Sequence, residues 1–402
     1  MQPILKPLLR RPLMPLLMVL QVGLACAIAC NALYLLQQNL APLVASSGVS
    51  APGRLILVSD VASDGPPWPT PRLRAVEARL STLPGVASAS LAITLPMGGN
   101  TVNPVHVTGE GERARVEASI FEGDHLVQTL GLRLVAGRGF TAAENDVSQD
   151  QTGPAIITQA LADRLFPGGY ALGRQIVYLD SPGEHHTVVG IVAHLFDYYG
   201  GNTGDYSILE PGFPIDAYSV PAFAIRVDPA ANVDAVRRRV RRALEAELGA
   251  SMMPGINPSF ATFAESRAVV TAGPKATVWL LLSVTLIVLI VALVGIAGVT
   301  NYWVQQRTHS IGIRRALGAR RSDILQEMLV ENLLVVGMGV VVGLIATYGI
   351  NLWMMRHFEV TRLPWFYLPI GAALLIVLGQ LAALLPSVRA SRISPIEAMR
   401  CE

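Results

Sequence analysis

Cysteine, charge and aromatic side chains are all scarce in this 402-residue chain. The three cysteines are Cys26, Cys30 and Cys401, so the long stretch between the last two has none. No disulfide can staple that stretch, and any domain in it must hold together by its own core. Charged residues make up 15% and aromatic residues 6%, while 51% are hydrophobic and mean hydropathy is +0.45. That balance is too apolar for an ordinary soluble enzyme. A net charge of +2 gives no electrostatic case for binding nucleic acid. Catalytic signatures are missing as well. Without a G-x-x-x-x-G-K-[ST] loop there is no Walker cradle for nucleotide phosphates, so any ATP hydrolysis is expected in another subunit. Neither the G-x-S-x-G elbow nor the H-E-x-x-H zinc motif occurs, and an enzyme is not expected.

Long apolar runs are what the chain does have. Four of them, 13–37, 276–304, 327–355 and 365–388, each reach the ~20 residues needed to cross a bilayer core of about 30 Å. Positive charge flanking such runs is retained in the cytoplasm. Lys6, Arg10 and Arg11 precede the first run, and Arg307, Arg314, Arg315, Arg320 and Arg321 fill the connection between the second and third. Arg389, Arg392 and Arg400 follow the fourth. Both termini are therefore expected in the cytoplasm, with 38–275 as one large domain on the other side and 356–364 as a short loop there. A cleaved signal peptide is the competing reading of the start, with small residues Ala27-Ile28-Ala29, but the apolar run is longer than the ~7–15 residues such a segment uses. Cys26 and Cys30 share one helix face inside the membrane.

The outer segment alternates strands with helices. A strand at 55–58, a helix at 71–83 and a strand at 86–93 form one unit; a strand at 222–227, a helix at 232–248 and a strand at 256–260 form a second. Between them, 95–212 is rich in strands and turns and reads as an inserted subdomain, the whole being α+β. Gly137-Arg138-Gly139-Phe140 reads as a turn and 160–166 as a short helix stopped by Pro167. Val233, Val236, Val240, Leu244 and Leu248 recur at helical spacing, which leaves Arg237, Arg238, Arg239, Arg241 and Arg242 as a solvated face. A specific anionic partner is the alternative for that run. Glu184-His185-His186 is the one metal-like cluster, but adjacent strand residues point to opposite faces and a turn explains it; no metal is expected.

The segment 305–326 carries the densest information. It reads as a short amphipathic helix in which Ile313 and Leu317 form an apolar strip and Gly318 takes the left-handed position past the helix end. Arg314 and Arg315 complement the negative pole of its dipole. A helix pinned between two spans can transmit a push from a cytoplasmic partner; it can equally lie on anionic lipid, and the residues alone leave both open. Gly339 and Gly343 form a G-x-x-x-G pair on the third run, with Gly337 nearby and Gly295 and Gly298 on the second, allowing close helix packing. Glu327 and Glu331, one turn apart at the mouth of the third run, either sit at the membrane interface or pair with nearby arginine, interface placement being the safer choice.

Ile311-Gly312-Ile313-Arg314-Arg315-Ala316-Leu317-Gly318-Ala319-Arg320-Arg321, followed by Asp323-Ile324, resembles the coupling segment of MacB and FtsX-like ABC transporter permeases. The C-terminal stretch 386–400 resembles that family's closing motif, and 130–140 with 160–167 resemble the MacB periplasmic core. The resemblance implies a bacterial inner-membrane permease of four transmembrane helices, its periplasmic α+β domain built from a porter-like subdomain and an inserted one. It further implies two copies of a separate ABC ATPase, which hold ATP and Mg, and a second permease, identical or homologous. A periplasmic adaptor and an outer-membrane channel are further implied partners. The implied activity is mechanotransmission for export of a peptide, lipid-like molecule or toxic small compound. Lipoprotein release, regulation of a cell-wall hydrolase, and a sensor or scaffold without ATPase coupling are the alternatives. Ser310 and His309 depart from the family's usual acidic residue and arginine, which puts one charge contact to the ATPase in doubt. A fused ATPase is not expected, since few residues precede the first run.

The topology is testable directly. Alkaline phosphatase inserted between Gly200 and Gly201, within the 38–275 segment, should be active, and a fluorescent protein fused after Glu402 should fluoresce. The reverse pattern would overturn the orientation.

Overall fold

The two strand–helix–strand units assemble one sheet because their strands carry apolar residues on both faces. The structure is a computed structural model that describes residues 13–98, 101–107, 115–144, 152–179, 183, 185–198, 204–212, 220–358, 364 and 367–391. It divides into two units, Pro42–Gly273 and Met1–Ala41 with Pro274–Glu402.

In the first unit, strand β1 (Leu55–Ser59), helix α2 (Thr70–Ser81) and strand β2 (Val86–Ala92) are matched by β10 (Ala222–Val227), α5 (Val233–Leu248) and β11 (Ser259–Thr262). The four strands form an antiparallel sheet in the order β11-β1-β10-β2. Ile56, Val58, Phe223 and Ile225 point to one face and are covered by Leu73, Val76 and Leu80 of α2 and Val236, Val240 and Leu244 of α5. Side chains alternate along a strand, so Leu55, Leu57, Ala222 and Ala224 point the other way, into a second core. Helix α5 starts at Asn232, whose side chain accepts the Ala235 N–H at 3.0 Å. The strand expected at 256–260 begins later, at Ser259, because Gly255 turns the chain with φ 87° and Pro258 lacks a donor.

The inserted segment supplies seven strands: β3 (Thr101–Val107), β4 (Val116–Glu122), β5 (Leu134–Gly137), β6 (Thr152–Thr158), β7 (Gln175–Tyr178), β8 (His185–Val192) and β9 (Ser207–Glu210). Their order is β5-β8-β6-β9-β4-β3-β7, and β7 pairs again with β8. Six strands thus close on themselves, with β5 attached outside. Val105, Ile120, Ile157, Ile176 and Ile208 fill the interior together with Leu161 and Leu165 of helix α4 (Gln159–Leu165). Their strand neighbours Phe121, Ile156 and Leu209 face outward, onto Leu55, Leu57, Ala222 and Ala224 of the four-stranded sheet. A short helix α3 (Leu126–Thr129) follows β4.

Where the two subdomains meet, Arg74 of α2 pairs with Asp124 at 3.4 Å and the Glu77 carboxylate accepts the Leu91 N–H at 3.1 Å. Burial first, and the Asp124 charge second, push the Glu77 carboxyl up to about 7. The described cysteines, Cys26 and Cys30, are free and lie outside this unit.

In the second unit, among the described residues, four helices are long and apolar enough to cross a membrane: α1 (Leu13–Val44), α7 (Ala272–Ala316), α8 (Arg321–Phe358) and α9 (Tyr367–Ser391). Helix α7 is continuous with the short α6 (Phe263–Val270) apart from Thr271. The expected glycine pair sits where α1 crosses α8. A Cβ on Gly339 would lie 2.7 Å from Val22 Cβ, and one on Gly343 would lie 2.4 Å from Cys26 Cβ and 2.6 Å from the Gly23 carbonyl. Cys30 stands over Gly371 of α9 in the same way. Met18, Val22, Ile296, Val335, Val336 and Leu375 complete this core. Polar groups find partners inside it: Gln21 donates to the Val291 carbonyl at 2.8 Å and Asn332 to the Gly379 carbonyl at 3.2 Å. Gly298 and Gly337 face open space and take no part.

Two measurements follow from this packing. Gly343→Ala should lower the thermal midpoint in detergent by a destabilisation of about 1–3 kcal/mol, whereas Gly337→Ala should leave it unchanged. Because the folded pKa of Glu77 is raised above the carboxylate value of 4.5, the native state binds the extra proton between pH 4.5 and about 7. Stability should therefore fall as pH rises through that window, by at most about 1.4 kcal/mol per pH unit, and Glu77→Gln should flatten the slope in thermal melts.

Candidate coupling site

A helix continues until something stops it, and between Gly298 and Gly318 little does. The residues Gln305, Gln306 and Arg307 favour helix, and Gly312 alone costs only about 1 kcal/mol. The short helix expected over 305–326 is accordingly the polar end of α7, a tight turn and the start of α8. Gly318 makes the turn with φ 99°, and the Ala319 N–H bonds back to the Arg314 carbonyl at 3.1 Å, closing the helix in a Schellman ending. Asp323 receives the Arg320 N–H at 3.1 Å and caps the first turn of α8.

The turn sends α8 back alongside α7, and two ion pairs join them. Arg307 Nη1 reaches the Glu331 carboxylate at 2.6 and 2.9 Å, with the Glu331 side chain 3% exposed. Arg314 Nη1 reaches the Glu327 carboxylate at 2.7 and 2.9 Å, and there the side chains are 59% and 34% exposed. Of the two readings of Glu327 and Glu331, the structure shows the pairing with nearby arginine: both are partnered across the hairpin. The partners are 24 and 13 positions apart, and the midpoints of both pairs fall at the turn around 319–320.

The expected coupling residues separate into two groups. Ile311, 4% exposed, and Gly312 are buried; Ile311 packs with Val304, Ile324, Met328 and Ala390. Ile313, 44% exposed, and Leu317, 83% exposed, form an outward apolar strip beside exposed Ala316 and Gly318. Arg314 is held by its own hairpin. The side chain of Arg315 and the closing motif at 392–400 lie outside the described residues, as do Lys6, Arg10 and Arg11. Ser310 is exposed and its hydroxyl donates to the Arg307 carbonyl at 2.8 Å, so its hydrogen is used within the helix.

His186 is buried, with Nδ1 3.2 Å from Glu210 and its ring 4.9 Å from Tyr178, whose hydroxyl also bonds Glu210. Glu184 lies outside the described residues, and among those described no group of three or more His, Cys, Asp or Glu is placed to hold a metal.

The two ion pairs differ in what their loss should cost. Arg307→Gln strands a buried carboxylate and should destabilise by about 3–5 kcal/mol. Arg314→Gln, at an exposed pair, should cost under about 1 kcal/mol. Thermal unfolding of the two variants in detergent checks the ranking, and equal effects would contradict it.

Comparison with known proteins identifies the family. Residues 22–243 match the MacB-like periplasmic core domain and residues 282–395 match the FtsX-like permease C-terminal domain. The macrolide export ATP-binding/permease protein MacB of Neisseria gonorrhoeae is 28% identical over 69% of this chain and 42% of its own length. The uncharacterized ABC transporter permease YvrN of Bacillus subtilis is 26% identical over 67% of both. The probable syringafactin export ATP-binding/permease protein SyfD of Pseudomonas syringae is 30% identical over 68% of this chain and 40% of its own length. The chain thus spans about two fifths of the length of these ATP-binding/permease relatives. Among solved structures, the periplasmic region of MacB from Actinobacillus actinomycetemcomitans matches with a TM-score of 0.39 and 10% identity, over 57% of this chain and 98% of that one. With over half its residues matched by one domain of that family and most of the remainder by the other, the chain belongs to the MacB/FtsX-like ABC transporter permeases.

Proposed function

We propose that this chain is the non-catalytic transmembrane subunit of a MacB-type ABC transporter in the bacterial inner membrane. Both termini lie in the cytoplasm and the α+β domain in the periplasm. Two copies of a separate ATPase bind ATP and Mg, and their dimerisation pushes on the end of α7. The push moves the periplasmic domain, which drives export of a peptide, lipid-like or toxic small molecule. A second permease copy or a homologue completes the complex, and a periplasmic adaptor with an outer-membrane channel forms the exit route. Relatives named for macrolide and syringafactin export favour export over the other client classes.

The observation that carries this reading is the end of the hairpin. Ile313 and Leu317 are exposed on a helix that runs unbroken to Ala272, and two ion pairs stiffen the tip against α8. An apolar strip on a rigid element offers a partner a handle that moves a span when it moves.

The test is affinity purification of the tagged full-length chain, with ATPase activity measured on the wild type and on Ile313→Asp with Leu317→Asp. These positions are exposed, so the double variant should fold and keep its thermal midpoint. Co-purification of an ATPase that the double variant loses supports the reading. An ATPase retained in full by the double variant, or none recovered with the wild type, contradicts it.

A further inference from the structure

The outward face of helix α5 carries charge that the coupling role of α7 leaves unused. Arg237, Arg238, Arg241 and Arg242 line a shallow cleft of about 390 Å³, with Asp234 at its edge. Two of these arginines are held in place. Arg237 makes a forked contact to Glu265, both distances 2.9 Å, which neutralises it. The Arg241 guanidinium lies 4.8 Å over the Phe260 ring, which fixes its position and leaves its charge intact. Arg238 and Arg242 are exposed and have no carboxylate within ion-pair distance among the described residues; Arg242 Nε donates to the Arg238 carbonyl at 3.3 Å.

The order of charge along the helix narrows what this face can receive. Residues three and four apart on a helix are surface neighbours, so Asp234, Arg238, Arg241, Arg242 and Glu245 form one exposed row. Its two ends are negative and its middle carries three positive charges. A free phosphate or a polyanionic chain finds the arginines but is repelled by both ends, because like charges set against each other act as discrimination. A segment with two acidic residues flanked by basic ones satisfies every position. Acids one helical turn apart stand about 6 Å apart along the axis, as Arg238 and Arg242 do, and guanidinium and carboxylate meet as forked pairs. An extended strand could space its acids as closely, but a helix face offers no backbone edge for it to pair with. A helix arrives with its own backbone hydrogen bonds made.

We propose that the outward face of α5 docks a helical segment of a partner protein that presents two acidic residues one turn apart, with a basic residue on each side. Exposed ion pairs contribute little affinity each, so the row acts by steering the partner and fixing its register, and the interaction is sensitive to salt.

The full-length chain in phosphatidylcholine nanodiscs tests this with a synthetic helix as the probe. The probe is a fluorescein-labelled, alanine-based peptide carrying Lys, Glu, Glu and Lys at four-residue intervals. A control peptide carries the same residues at five-residue intervals, which spreads them around the helix. Fluorescence anisotropy at low salt should show the probe binding about tenfold more tightly than the control, and 0.5 M salt should abolish the difference. Arg238→Glu with Arg242→Glu should lose the probe and gain binding of a peptide with the charges exchanged. Arg115→Glu with Arg133→Glu, at exposed positions of the inserted subdomain, changes the net charge equally and should bind the probe like the wild type. Thermal midpoints show that each variant is folded. No binding of the probe to the wild type, equal affinity for probe and control, or a folded Arg238→Glu and Arg242→Glu variant that binds the probe like the wild type overturns the proposal. Displacement of the probe by equimolar inorganic phosphate would make the cleft a small-anion site and likewise overturn it. None of these outcomes depends on an ATPase partner.

Discussion

The ion pair between Arg307 and Glu331 is the constraint on which the hairpin end of the membrane unit depends. A carboxylate only 3% exposed is tolerable there because a guanidinium neutralises it at 2.6 Å; without that partner its burial would cost several kcal/mol. The pair joins two helices antiparallel at a fixed register, and the Gly318 turn can close only when that register holds. Ile311, Ile324 and Met328 then pack beneath it, so the tip of the hairpin is a small core and not a flexible loop. The exposed strip of Ile313 and Leu317 inherits its rigidity from these contacts.

That rigidity has a length attached to it. Forty-five residues of continuous helix measure about 68 Å, well beyond the ~40–45 Å of a bilayer with its headgroups. Helix α7 must therefore project out of the membrane, and its polar end from Asn301 onward is the part with the composition to do so. Within the bilayer the helices meet through small residues, Gly23, Gly339, Gly343 and Gly371, which place backbones in near contact. Packing of that kind has no soft layer of side chains to absorb a displacement. A force applied to one helix is passed to the next.

Much of this was legible in the sequence, for identifiable reasons. The four apolar runs announce themselves by length, the α5 helix by valine and leucine spacing, and the Gly339–Gly343 contact by its four-residue interval. Strand alternation sends Ile156 and Ile157 to different cores, but alternation does not say which strands are neighbours. Closure of the inserted strands through the β7–β8 pairing is a long-range event that no local pattern encodes. The continuity of α7 was hidden by the change from apolar to polar composition after Val304, which ends the membrane run without ending the helix. Pairing of Glu327 and Glu331 with arginine was one of two readings the sequence offered, but which arginine serves which glutamate is set by the turn, where sequence distance and spatial distance part company.

The claim that most needs direct proof is that the tip of α7 is the surface that receives the ATPase. A photo-crosslinking amino acid placed at Leu317 in cells, with the same residue at buried Ile311 as control, gives that proof. The account predicts an ultraviolet-dependent product at Leu317 that mass spectrometry identifies as a P-loop ATPase, and none at Ile311. A Leu317 probe that captures only lipid, with no ATPase adduct while the protein is folded in the membrane, would contradict it.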